Sequence, residues 1–211
     1  MLLLVLSCLL AASPALAGAW LRDKGSWFSS TSSIWARDGS FYNNYFAEYG
    51  LWDRMTIGVD AGFASDGQIS ALFFSRVPLW RSDKGHRIAL EVGGGHSAGR
   101  PVSKTSLSYG RGFSLPQGNG WLAIDAAATI DLWTGFASYQ VDSTVGLAPS
   151  DNWKAIVKMH SVRSPGVHPT LKIAPSVVRR LGKHTQLEIG LSETVLGGRR
   201  SQLKLGIWLE F

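Results

Sequence analysis

Apolar side chains in this chain recur at every second position, in segment after segment, and that period leaves few folds open. Over residues 54–64 one parity reads Met55, Ile57, Val59, Ala61 and Phe63, and the other Arg54, Thr56, Gly58, Asp60 and Gly62. Over residues 121–131, Leu122, Ile124, Ala126, Ala128 and Ile130 alternate with Ala123, Asp125, Ala127, Thr129 and Asp131. Residues 104–114, 185–195 and 202–211 repeat the pattern. Successive side chains of a β-strand point to opposite faces, so this period marks strands with two unlike faces. Helical spacing fits none of these segments, and their interior glycines would cost a helix ~1 kcal/mol each.

Turn residues punctuate the alternation, as at Arg37-Asp38-Gly39, Ser65-Asp66-Gly67, Ser82-Asp83-Lys84-Gly85, Pro116-Gln117-Gly118-Asn119 and Gly197-Gly198. A further break is expected over residues 97–103. Together the breaks divide the chain into about twelve strands of roughly ten to twelve residues, close to the ~9–11 that a tilted transmembrane strand needs. In a soluble barrel the exterior would be rich in Lys and Glu. Here the non-apolar face carries Gly, Ser, Ala and Thr with scattered charges of both signs, which suits a confined lumen. The expected fold is therefore all-β: a transmembrane antiparallel up-and-down β-barrel of about 12 strands, with both termini on the periplasmic side. No repeat or linker interrupts it, so residues 18–211 form one domain.

The first residues read differently. Met1 to Ala12 is almost wholly apolar, and Ser13-Pro14-Ala15-Leu16-Ala17 has the small-x-small pattern read by signal peptidase. Residues 1–17 are expected to be a cleaved signal peptide, with the cut after Ala17. The chain's one cysteine, Cys8, falls within it, so the mature barrel has no disulfide to support it.

Tryptophan placement agrees with a membrane barrel. Of nine tryptophans, Trp27, Trp52, Trp80, Trp121, Trp153 and Trp208 fall near the periplasmic ends of the expected strands. Trp35 and Trp133 fall near the outer ends. Indole prefers the headgroup zone, where its apolar body and its N–H are both satisfied.

Two local resemblances follow. Gly206-Ile207-Trp208-Leu209-Glu210-Phe211 resembles the last strand of bacterial outer-membrane proteins. That resemblance makes Phe211 the assembly signal and the barrel-assembly machinery a partner. Glu48-Tyr49-Gly50-Leu51-Trp52-Asp53-Arg54-Met55-Thr56 resembles a hairpin of outer-membrane transporters, including the phenol meta-pathway channel-like family, with Trp52 in place of the usual Thr. It implies an outer-membrane barrel and a tight periplasmic turn, and leaves the substrate open.

An eight-stranded barrel is filled by its side chains and a sixteen-stranded one leaves a channel; twelve strands lie between. The expected pore-lining residues are Asp60, Arg76, Arg87, Glu91, Asp125, Asp142, Lys154, Lys158, His160, Lys172, Glu188 and Lys204, with Asp131 and Lys104 on the same faces. They either line a water-filled pore or pair and fill the interior. The many small inward residues leave volume unfilled and favour a narrow, weakly anion-favouring pore for small solutes. Residues 18–24 are the free segment able to enter the lumen.

The net charge is +6, and the expected outer loops carry Arg37, Arg100, Arg163, His168, Arg199 and Arg200. Such a rim suits lipopolysaccharide phosphates, which guanidinium groups hold bidentately. A non-conducting structural or accessory barrel, touching lipopolysaccharide or a periplasmic partner, is the alternative reading, and a lipid-modifying enzyme is the third. Catalytic signals are weak. His96-Ser97 and His160-Ser161 are adjacent, so each pair points to opposite faces, and no His-x-Ser occurs. The dispersed histidines make no metal motif, no cofactor is expected, and the scattered basic residues argue against nucleic acid as a partner.

Overall fold

The computed structural model describes residues 18–198 and 200–211. The expected signal peptide therefore lies outside the described residues, as does Arg199. Twelve strands follow one another: β1 (Trp27–Ala36), β2 (Phe41–Trp52), β3 (Met55–Ala64), β4 (Ile69–Arg81), β5 (His86–Ser97), β6 (Arg100–Leu115), β7 (Gly118–Asp131), β8 (Ala137–Ser150), β9 (Trp153–Arg163), β10 (Thr170–Arg180), β11 (Thr185–Leu196) and β12 (Arg200–Glu210). Each pairs antiparallel with its sequence neighbours. The barrel closes where β1 meets β12, in register from Phe28 opposite Glu210 to Ala36 opposite Gln202. The seam ends in a reciprocal pair: Trp27 N–H donates to Phe211 O at 3.0 Å, and Phe211 N–H to Trp27 O at 2.9 Å. Closure satisfies every strand edge, which is what allows a sheet to sit in hydrocarbon.

The outward parity is apolar around the whole circumference. Phe73, Leu107, Val145, Val157, Ile189, Leu203 and Ile207 are all large and exposed. No loop between strands exceeds the six residues that separate β9 from β10. The end that carries both termini is closed by turns of two to four residues, and is taken as periplasmic.

Two details depart from the sequence reading. The break expected over residues 97–103 shrinks to Ala98-Gly99, and β6 extends to 16 residues. Ala98 (φ 49) and Gly99 (φ 77) both take the left-handed conformation, which lets a two-residue hairpin follow the twist of its strands. The second departure concerns two tryptophans. Trp27, Trp52, Trp80 and Trp153 are exposed on the outer wall near the periplasmic ends, as are Trp35 and Trp133 near the outer ends. Trp121 and Trp208 instead face inward and are 3% and 6% exposed. Both lie on the lumen parity of their strands, and inside they meet other apolar groups.

Those groups form the core, which sits in the periplasmic half of the barrel. Ala19, Trp20, Phe28, Trp121, Ala123, Ile156, Val178 and Trp208 make one buried cluster, with Phe46 and Ala148 packed against it. Phe28 meets Trp208 edge-on at 5.8 Å between ring centroids. A soluble domain would wrap its core in sheet and helix; here the core is a plug of side chains inside a tube.

Candidate functional site

The lumen is the candidate site, and strand parity decides what reaches it. Asp60, Arg76, Glu91, Asp125, Asp142, Lys158, Glu188 and Lys204 line one central chamber of about 300 Å³, and Lys104 joins them. Arg87 and Lys154 also lie on inward parities, lower down, beside separate periplasmic pockets. His160 stands opposite Lys172 across β9 and β10, on the parity of Lys158. All twelve residues expected inside are thus on the lumen side of their strands.

Their pairing is uneven. Arg76 is almost fully buried and bridges two strands: Nη1 is 2.5 Å from Glu48 Oε1 and Nη2 is 2.7 Å from Glu91 Oε2. Lys104 Nζ adds a contact to Glu91 at 3.3 Å. On the opposite wall, Glu188 Oε2 accepts from Lys204 Nζ at 2.9 Å and from Trp208 Nε1 at 3.0 Å. Taking charges out of water is costly, and geometry this close is what offsets it.

Higher in the lumen, His160 Nδ1 lies 2.5 Å from Asp142 Oδ1, and Gln140 Nε2 donates to Asp142 Oδ2 at 2.6 Å. Lys158 and Lys172 make no salt bridge among the described residues. With Lys204 and His160 they form a basic wall over β9, β10 and β12. Facing it are Asn44, Asp60 and Leu72, where Asn44 Nδ2 donates to Asp60 Oδ1 at 2.7 Å.

The floor of the chamber is the N-terminal segment, residues 18–24, which enters from the periplasmic end. Ala19 and Trp20 are buried in the core cluster. The Trp20 ring lies on Gly110, where any side chain would collide with it. Arg22 N–H donates to Thr56 Oγ1 at 2.8 Å, and its guanidinium reaches Glu48 at 2.8 Å and Glu210 at 3.5 Å. The carbonyls of Arg22 and Asp23 press against Gly50, a position where only hydrogen fits. Arg22 borders both the central chamber and a periplasmic pocket of about 570 Å³ beneath it. The segment is a partition between the two.

Glu48, Arg22, Glu210 and Trp208 therefore belong to the site, although none stood among the expected lining residues. Glu48 had a signal in the sequence: it shares parity with Asn44, Phe46 and Gly50 on a strand whose other face is Tyr45, Ala47 and Tyr49. Arg22 was covered only by the expectation that residues 18–24 could enter the lumen, because a segment outside the strands has no parity to read.

At the outer rim, Arg37 and Arg163 are exposed. Arg100 Nη1 is 3.0 Å from Asp131 Oδ2, and Arg200 Nη2 is 3.0 Å from Asp38 Oδ2 with Ser40 Oγ also in contact. Hydrogen bonds from the Ser40 hydroxyl and backbone N–H, helped by Arg200, hold the Asp38 carboxyl down at about 2. His168 is exposed in the loop before β10. Phe211 is also exposed, and its ring stacks on His184 with centroids 4.8 Å apart.

The His160–Asp142 contact has the form of an oriented acid–base pair, but a hydrolase would need a nucleophile beside it. The neighbouring Ser143 and Ser161 occupy the opposite parity from Asp142 and His160.

No protein-family model matches the chain, and no curated protein matches it in sequence. Solved structures do match in shape. A KdgM porin aligns with a TM-score of 0.72 at 5% identity, covering 87% of this chain and 99% of that one. A NanC porin aligns at 0.69 and 5% identity, covering 87% and 100%. A KdgM porin in complex with disordered oligogalacturonate aligns at 0.64 and 6% identity, covering 88% and 99%. The fold is that of a small bacterial outer-membrane β-barrel.

Proposed function

We propose that this barrel is a narrow passive pore for small solutes, weakly favouring anions. The reading rests on one observation above all: a polar chamber lined by Lys158 and Lys204, with His160 and Lys172 on the same lumen-facing parities, is separated from a periplasmic pocket by Arg22, which borders both. Of these, Lys158 and Lys172 make no salt bridge among the described residues, and fixed cations of that kind raise the local concentration of anions in a confined, low-dielectric passage. The acids of the lumen are mostly committed: Glu48 and Glu91 to Arg76, Glu188 to Lys204, Asp142 to His160. The porins that share the fold support the same reading.

A second reading has its own observation. The apolar cluster from Trp20 to Trp208 fills the periplasmic half, as a non-conducting accessory barrel would require. Under either reading the free rim arginines, Arg37 and Arg163, are available to lipopolysaccharide phosphates. Recordings from purified protein in a planar bilayer separate the two. Stepwise currents whose reversal potential shows anion preference are expected for the pore. Silence from protein shown to be folded by heat-modifiable gel migration would establish the non-conducting barrel instead.

A further inference from the structure

The deepest point reached by the N-terminal segment is Gly18, and it lies directly against the carboxylate of Asp125, in the middle of β7. A side chain on Gly18 would overlap both carboxylate oxygens, and its backbone is in the left-handed conformation (φ 81). Asp125 Oδ1 is buried and has no hydrogen-bond partner among the described residues. Its cross-strand neighbours bring no counter-charge. Ser108 stands opposite on β6 and Asp142 on β8, so one side offers a neutral hydroxyl and the other a second carboxylate. Like charges directly opposite across a sheet are destabilising, and a buried carboxylate without a partner is costlier still. Asp142 has His160 and Gln140. Asp125 has no salt-bridge partner among the described residues, and the group it faces is residue 18.

We propose that proteolytic processing between Ala17 and Gly18 creates that partner: the new α-ammonium of Gly18 pairs with Asp125 and locks residues 18–24 in the lumen. Signal peptidase adds water across the Ala17–Gly18 amide. Ala17 leaves with the new carboxylate, and Gly18 keeps the amine, which takes up a proton. An α-amino group ordinarily titrates near about 8, so it is charged at neutral pH. Its N–H groups form charge-assisted bonds to a carboxylate, stronger than neutral ones. Glycine at 18 is required twice: it accepts the positive φ, and it leaves room for Asp125. In the unprocessed chain the same atom is an amide nitrogen, without charge. Seating of the segment is thereby tied to export. The same cut that releases the barrel from its leader supplies the charge that closes its floor.

The inference is independent of whether the barrel conducts, and its test does not use conduction. The intact mass of protein extracted from the outer membrane should correspond to a chain starting at Gly18. A start at any other residue overturns the proposal. 2-Pyridinecarboxaldehyde, which condenses with N-terminal α-amines, should label the folded wild type far more slowly than the urea-unfolded chain. Equal rates in the two states overturn it. In folded Asp125→Asn, which keeps the volume and removes the charge, labelling should be about tenfold faster than in folded wild type, equivalent to about 1.4 kcal/mol. If that variant folds and labels no faster, the segment is held by packing alone and the ion pair is refuted. If it does not fold, the pH dependence of wild-type labelling decides: the ion pair should move the midpoint of the amine upward in the folded protein relative to the urea-unfolded chain, and equal midpoints refute it.

Discussion

The indole N–H of Trp208 donates to Glu188 Oε2 at 3.0 Å, inside the barrel and not on its outer wall. Glu188 is 1% exposed and lies across from Gly206, whose missing side chain leaves room for the carboxylate. Lys204 supplies the charge and Trp208 the second donor. Trp208→Phe keeps the ring in the core cluster and deletes the donor. It should lower stability by about 1–3 kcal/mol, the cost of a hydrogen bond removed from a buried charged acceptor. Urea unfolding in detergent micelles measures it, and an unchanged midpoint would mean that Lys204 alone satisfies Glu188.

Arg76 is the single cation between Glu48 and Glu91 in the lower lumen, although Arg22 and Lys104 touch the outer sides of the same acids. Arg76→Met leaves two buried carboxylates facing each other and should destabilise the barrel by ~3–5 kcal/mol. Adding Glu48→Gln should recover part of the loss, because one of the stranded charges disappears. A double variant no more stable than the single one would show that the loss comes from packing.

Ile124 and Ala123 are neighbours on β7 with opposite fates: the isoleucine is on the lipid face and the alanine is buried in the core. Ile124→Arg should cost ~2–4 kcal/mol near the bilayer midplane. Reduced yield of the heat-modifiable folded form is the readout, and normal folding would undo the assignment of this face to lipid.

Gly110 is the seat of the Trp20 ring. Gly110→Leu should displace the N-terminal segment while leaving the β6 hydrogen bonds in place. The expected result is proteolytic trimming of residues 18–24 in a barrel that otherwise resists protease. If the segment stays protected, its anchor lies elsewhere, at Arg22 or at the Gly18–Asp125 contact.

Asp38 sits in the turn after β1, outside the membrane span, and its carboxyl is held at about 2 by Ser40 and Arg200. A depressed folded-state value means a contribution that is complete above the ordinary 3.8 and lost as pH falls through about 2. The Asp38–Arg200 contact should therefore be unchanged between pH 8 and 5. Carboxyl-carbon NMR of the folded barrel gives the midpoint directly. A midpoint near 4 would mean that the turn holds Asp38 no better than water does.

Much of this molecule could be read before folding, for a simple reason. In a barrel each strand meets lipid on one face and lumen on the other, so parity along the sequence is parity in space. Asp60, Arg76, Asp142 and Lys158 could be assigned to the lumen one strand at a time, without knowing which strands meet. The number of strands followed from turn residues, and the boundary that slipped, at Ala98-Gly99, did so because a non-glycine residue took the left-handed conformation.

What the chain alone could not say is which inward groups touch. Glu48 and Arg76 are on β2 and β4, Trp121 and Trp208 on β7 and β12, and closure of the ring brings each pair into one interior. The aromatic rings sorted to the periplasmic ends carried no mark of whether they faced headgroups or the core. Residues 18–24 have no strand period at all, and their place was decided by three-dimensional complementarity: a glycine seat at 110, another at Gly50, and a carboxylate at 125. The sequence determined a tube with a polar bore; the tertiary structure decided where an apolar cluster narrows it, because only in the periplasmic half do one free end and a ring of inward aromatics converge.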